Sequence, residues 1–134
     1  MFSFFKKSQS QYKKCSTVIT GKRGEELAVA YLKQQHYLIL QRNYRKRTGE
    51  IDIIVKDGDT LVFVEVKARC NERFGTAFEA VNLRKQQQIS KAALAYLTEY
   101  NCHDSQIRFD VIAVYFKGSE PYFEHIKNAF EYAG

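Results

Sequence analysis

Two runs rich in β-branched residues, Gly49-Glu-Ile-Asp52-Ile-Ile54 and Val62-Phe-Val-Glu65-Val-Lys67, flank Lys56-Asp57-Gly58-Asp59, and this arrangement constrains the fold more than any other part of the chain. Asp-Gly between apolar runs is a strong hairpin signal, because a type I′ turn needs positive φ at both central residues. With Asp57 and Gly58 as the turn, Ile54 is expected opposite Leu61, Asp52 opposite Phe63, and Glu50 opposite Glu65. Strand side chains alternate, so Asp52, Glu65 and Lys67 point to one side. Diagonal neighbours across antiparallel strands lie roughly 7–8 Å apart, within reach of a shared divalent ion. Ile51, Ile53 and Val55 with Val62, Val64 and Val66 form the opposite, apolar face, and Ile54, Leu61 and Phe63 cover the charged side near the turn. The pattern is that of a buried sheet with a polar lip at one end.

A chain of 134 residues, 45% of them hydrophobic, can bury one core and is too short for two. The net charge of +6 is unevenly placed: Lys6, Lys7, Lys13, Lys14, Lys22 and Arg23 precede every acid in the chain. Removing those six from the 21 basic residues leaves 15, against 15 acids, so the body is formally neutral. Residues 1–20 therefore read as a basic, flexible arm and residues 21–134 as a single domain. Such an arm holds nucleic acid by counterion release or is simply a solvated tail, the commoner case. Cys15, Cys70 and Cys102 have neither zinc-finger nor redox spacing, which points to reduced thiols. The charges of the amino-terminal segment follow its short apolar run, the reverse of a secretion signal, and no apolar stretch is long enough to span a bilayer. A cytoplasmic protein with no membrane partner is expected.

Leu27, Ala28, Tyr31 and Leu32 recur at helical spacing over residues 24–36, with Glu25 at the edge of the stripe and Glu26 pointing away from it. A strand from residue 37 to about 45 and a turn at Thr48-Gly49 lead into the hairpin. Beyond Lys67 comes a polar loop, then Thr76-Ala-Phe-Glu79, which matches a capping box. A long helix over residues 83–100 turns Ile89, Ala92, Ala93, Tyr96 and Leu97 inward, and strands follow at 107–116 and 121–126. Helix, three strands, helix and strands make a mixed α/β sandwich.

Magnesium-like cations prefer oxygen ligands and bind through one or two carboxylates plus waters and substrate phosphate oxygens. Asp52 and Glu65 supply such ligands, with the Val66 carbonyl a third. Lys67 is a point charge able to position a water or stabilise a crowded phosphorane, and Glu25 can hold a water beside the ion. The alternative for Glu65 and Lys67 is an exposed salt bridge on an edge strand; the expected Glu50–Glu65 pairing argues against it, because like charges across a ladder are destabilising. Glu50 itself is either an outer metal neighbour or a strand-end residue.

An acid on the first helix, Asp52 and then Glu65-x-Lys67, in the order α-β-β-β-α-β, resembles the PD-(D/E)xK restriction-endonuclease-like superfamily, nearest its Holliday-junction-resolvase-like branch. Gly21-x-x-Gly24-Glu25, Gly49-Glu-Ile-Asp52, Phe63-Val-Glu-Val-Lys67-x-Arg69, Phe74-Gly75, Lys85, Arg108-Phe-Asp110 and His125-Ile-x-Asn-Ala-Phe130 resemble the bacterial YraN-like family, across residues 21–130. Ile51 stands where the superfamily motif has proline. The resemblance implies a restriction-endonuclease-like core, a mixed sheet flanked by helices, with a nuclease-type site at Glu25, Asp52, Glu65 and Lys67. It implies Mg2+ or Mn2+ as cofactor and DNA, branched or damaged, as substrate; branch-resolving relatives act as dimers, which makes a homodimer the matching assembly.

Arg42, Arg45, Lys46 and Arg47, with Arg69, Arg73, Arg84 and Lys85, lie in segments entering or leaving this site and are candidate phosphate contacts. Arg45, Arg69 and Lys85 lead that set, Lys85 because it falls in the first turn of the long helix. Asp110 beside Arg108 reads as a structural acid paired with an arginine. The three histidines lack ligand spacing and no Ser or Cys has a partnered base, which argues against a zinc enzyme or covalent hydrolase. The alternatives to a nuclease are a nucleic-acid-binding or assembly protein that keeps the fold, and an interaction module whose basic arm docks an acidic partner.

Overall fold

Among the described residues five strands form one sheet, lying side by side in chain order. The structure, a computed structural model, describes residues 17–69, 81–116 and 120–134; the basic residues before 17, Arg73 and the capping box at Thr76-Ala-Phe-Glu79 lie outside them. The elements run α1 (Thr17–Gln34), β1 (Leu38–Lys46), β2 (Gly49–Asp57), β3 (Thr60–Arg69), α2 (Leu83–Glu99), β4 (Gln106–Tyr115) and β5 (Tyr122–Phe130). Only the β3–β4 pair is parallel, and the return is made through α2; the other neighbours are antiparallel. This is the expected mixed α/β sheet flanked by helices. No helix among the described residues is long and apolar enough to cross a membrane.

α1 covers one face of the sheet, its Ala28, Val29 and Leu32 packing with Ile53, Val55, Val62, Val64, Ile112 and Val114. α2 covers the other, with Ile89, Ala92, Ala93, Tyr96 and Leu97 against Ile54, Leu61, Phe63, Phe109 and Val111. Both helices end in the same way. His36 and Asn101 take left-handed φ values of 67° and 52°, and the Tyr37 and Cys102 amides donate back to the Leu32 and Leu97 carbonyls at 3.0 and 2.9 Å, the hydrogen-bond pattern of a Schellman cap. α1 begins seven residues before the expected helix because Gly21 and Gly24 weaken its local signal while packing favours it: a Cβ on Gly24 would stand 3.0 Å from that of Ala68. β5 likewise runs on to Phe130.

The hairpin register differs from expectation by one step of the turn. Asp57 pairs with Thr60, so Gly58 and Asp59 are the central residues and Ile54 faces Phe63. Gly58 has φ 60° and Asp59 is not in the left-handed region, matching a II′ turn, which needs positive φ only at its first central residue. The parity of the two strands survives, but the partners change: Glu50 pairs with Arg45 of β1 and forms an exposed 3.4 Å ion pair with it. The expected Glu50–Glu65 contact does not exist.

A second departure lies in β2. Ile51 packs in the cluster under α2 together with Ile54, while Ile53 and Val55 lie under α1. Strict alternation fails at Asp52, opposite Asn43, whose φ of 53° is left-handed; the ladder skips that pair between Arg42–Ile53 and Tyr44–Ile51. Both strands change face there.

On the α1 side, Asp110 is fully buried and ties four segments together. Arg108 donates to both of its oxygens at 2.8 and 3.0 Å, and also to Asp57 and Tyr37 at 3.0 Å each. His125 Nε2 lies 2.8 Å from Asp110 Oδ2 and the Asn128 amide donates to Oδ1 at 3.0 Å. Burial would raise the Asp110 pKa, but these bonds hold it below the ordinary value. Asp110 is the structural acid expected from its Arg108 neighbour, with His125 as an additional partner.

Where β2 begins, a Cβ on Gly49 would lie 2.2 Å from the Gln88 carbonyl oxygen of α2. A helix carbonyl cannot yield cheaply, so Gly49→Ala is expected to lower stability by roughly 1–3 kcal/mol, measured by denaturant melting; an unchanged midpoint would contradict this close approach.

Candidate functional site

The β2–β3 ladder ends at Ile53–Val64, yet β2 extends back to Gly49 and β3 on to Arg69. The strands part where the register would place Asp52 opposite Glu65. The Asp52 carboxylate fills the opening: its Oδ2 accepts the Val66 amide hydrogen at 2.8 Å, satisfying by a side chain a β3 donor beyond the end of the ladder. Its bent strand carries Asp52 in from the sheet, α1 brings Glu25 to one side of it, and Glu65 projects from β3 toward α2.

Three carboxyl groups therefore converge. Glu25 and Glu65 each come close enough to Asp52 to share a hydrogen bond with it. Burial, with the Asp52 charge added, pushes Glu65 up to about 9. The same two causes raise Glu25 to about 7, opposed by Arg42. Glu65 is 6% exposed, and its Oε2 is buried without a hydrogen-bond partner among the described residues. Lys85 Nζ stands 3.4 Å from that oxygen, an ion pair too loosely placed to count as a hydrogen bond. Lys67, half-buried two residues beyond Glu65 on the same strand face, also draws the Glu65 pKa down.

The strand directions bring the end of β1, the start of β2 and the end of β3 to one end of the sheet, so Arg45, Lys67 and Arg69 flank this opening. Arg45 is the most open, its side chain 73% exposed beside Glu50. Arg69 is half-buried; its Nη1 donates to the Ala68 carbonyl at 3.2 Å, while its buried Nε lacks a partner among the described residues. Lys85 reaches the site from the first turn of α2, paired with Glu65. That pairing was not legible in the sequence, because it joins elements far apart in the chain; the one hint was a lysine in a helix first turn that contains no acid.

Among the described residues no group of three or more His, Cys, Asp or Glu side chains is arranged to enclose a metal ion. The donor chemistry nevertheless fits a hard cation of the magnesium type, which needs only one or two carboxylates and takes its other ligands from water and phosphate. The unpartnered Glu65 oxygen and the crowded acids are what such an ion would satisfy.

Residues 24–114 match the description Uncharacterised protein family UPF0102. The chain belongs to this family. A UPF0102 protein of Geobacter metallireducens is 53% identical over 113 residues, covering 84% of this chain and 93% of the relative. One from Geobacter sulfurreducens is 53% identical over 116 residues, covering 86% and 91%, and one from Chlorobium chlorochromatii is 47% identical over 121 residues, covering 86% and 93%. UPF0102, the YraN-like family, is of the PD-(D/E)xK nuclease-like kind. The crystal structure of SSO0001 superposes with a TM-score of 0.40 at 15% identity, covering 98% of this chain and 62% of that one, a likeness too weak to argue from.

The raised carboxyls have a consequence for stability. A group whose pKa is higher in the folded than in the unfolded chain stabilises the fold fully below its unfolded value and loses that contribution as pH rises through the folded value. For Glu65 the window runs from its ordinary 4.5 to about 9. Metal-free protein is therefore expected to lose thermal stability as pH rises from about 5 to about 9, and Glu65→Gln to flatten the decline; a Glu65→Gln profile parallel to the parent's would contradict the assignment.

Proposed function

We propose that this UPF0102 protein is a Mg2+- or Mn2+-dependent endonuclease acting on DNA phosphodiester bonds, with branched or damaged DNA as the preferred substrate class. The observation that carries the proposal is the juxtaposition of Asp52 with the buried, unsatisfied Glu65 carboxyl at the point where β2 and β3 part, with Lys67 on the same strand face. Asp52 and Glu65 would hold the ion. When bound, the ion lowers the pKa of a coordinated water and offsets negative charge on the scissile phosphate.

The chain's own groups supply the rest. Asp52 Oδ2 is fixed by the Val66 amide, which locks the carboxylate's orientation. Glu25, approaching from α1, orients the attacking water by accepting its hydrogen. Lys67 presents an ammonium to the phosphate oxygens on which charge develops. Arg45 and Arg69, at the same end of the sheet, position the backbone of the nucleic acid without reading its sequence. The apolar clusters on both faces beneath the opening exclude water from its floor.

A nucleic-acid-binding protein that keeps the fold without turnover is the second reading, favoured by Lys85 already standing at Glu65. Labelled single-stranded, duplex, flapped and four-way-junction DNA incubated with Mn2+ separates the two. The nuclease yields metal-dependent products that fall at least roughly 100-fold in Glu65→Ala and Lys67→Ala, with circular dichroism unchanged. Salt-sensitive binding with no products on any substrate would establish the second reading instead.

A further inference from the structure

Lys85 is the third residue of α2, whose cap Asn82 accepts the Lys85 backbone amide at 2.9 Å. The helix dipole favours an acid at this position, and a glutamate would complete a capping box. A base placed there against local preference marks a site where another interaction decides the residue. That interaction is with Glu65: the ammonium is 3.4 Å from Oε2, and the two side chains are 28% and 7% exposed. The oxygen has no hydrogen-bond partner among the described residues, so the lysine stands beside it as a charge without a fixed bond.

We propose that Lys85 is an exchangeable cation beside Glu65, displaced by the divalent ion and turned out toward the phosphate side of the site when the ion enters. The inference rests on the metal site proposed at Asp52 and Glu65. Two cations cannot share one buried oxygen, because a unit charge about 4 Å from a divalent ion is strongly repelled in a protein interior. Lys85 is built to leave. Its backbone stays anchored at the helix cap, its partly exposed stem has a route to water, and an ammonium is a compact point charge that breaks no bidentate geometry on departure. The arrangement keeps a cation beside the buried acid when the ion is away and places a free ammonium beside the substrate when the ion arrives.

The test uses the full chain without nucleic acid. Mn2+ affinity is measured by water-proton relaxation for the parent, Lys85→Met, Lys85→Arg and Glu65→Gln. Lys85→Met is expected to bind at least roughly tenfold more tightly than the parent, Lys85→Arg close to the parent, and Glu65→Gln more weakly. Equal affinity in the parent and Lys85→Met, with binding still lost in Glu65→Gln, overturns the exchange while leaving the metal site standing. Mn2+ binding that ignores Glu65→Gln, or no binding at all, overturns the metal site and the exchange with it. A second readout needs no variant: acylation of the Lys85 amine in the parent, followed by mass spectrometry, should rise several-fold on adding Ca2+, and unchanged labelling would overturn the exchange.

Discussion

The hydrogen bond from the Val66 amide to Asp52 Oδ2 is the contact on which the proposed chemistry depends. A continuous antiparallel ladder would have satisfied β3 with backbone carbonyls and closed the space between the strands. Handing that donor to a side chain instead lets β2 diverge while leaving no orphaned amide. Into the opening come Glu65 from β3 and Glu25 from α1, each with its pKa raised by burial and by the Asp52 carboxylate. The crowding is unfavourable for three acids alone and suits a site that accepts a cation.

Stability is concentrated elsewhere so that this end of the sheet can carry such strain in charge. Asp110, with its arginine, histidine and backbone partners, ties β4, β5, the β2–β3 turn and the start of β1 together on the α1 face. It repeats the device used at the site. Asn128 and Asn43 both adopt left-handed backbone, each beside an aspartate where a ladder is irregular. At Asp110 every oxygen is satisfied within the protein, which makes a structural joint. At Asp52 one oxygen is committed to the Val66 amide, and two further acids crowd the carboxylate.

Much of the fold was legible locally. The spacing of Ile89, Ala92, Ala93, Tyr96 and Leu97 marks the buried face of α2 and its bounds within one residue, and the apolar run over residues 107–116 does the same for the bounds of β4. The shared side of Glu65 and Lys67 follows from strand parity, which survives a change of turn. Register did not, since Lys56-Asp57-Gly58-Asp59 admits a two-residue turn centred on either side of Gly58, and only long-range packing chooses. The shift of Ile51 to the α2 face comes from Asn43 on a neighbouring strand and leaves no trace in the periodicity of β2. The partners of Lys85 and His125 were not legible for a similar reason: Glu65 and Asp110 are brought to them by the fold.

The proposed site requires a divalent ion to enter beside Asp52 and Glu65 and to displace the proton that burial favours on Glu65. Titrating Mn2+ into the protein at pH 7.5 in two buffers of different ionisation enthalpy counts the protons released per ion bound. With Glu65 raised to about 9 and Glu25 to about 7, roughly one proton or more should leave with each ion. Binding with no proton release would show that the ion sits elsewhere, or that Glu65 is already ionised, and would contradict the proposed site.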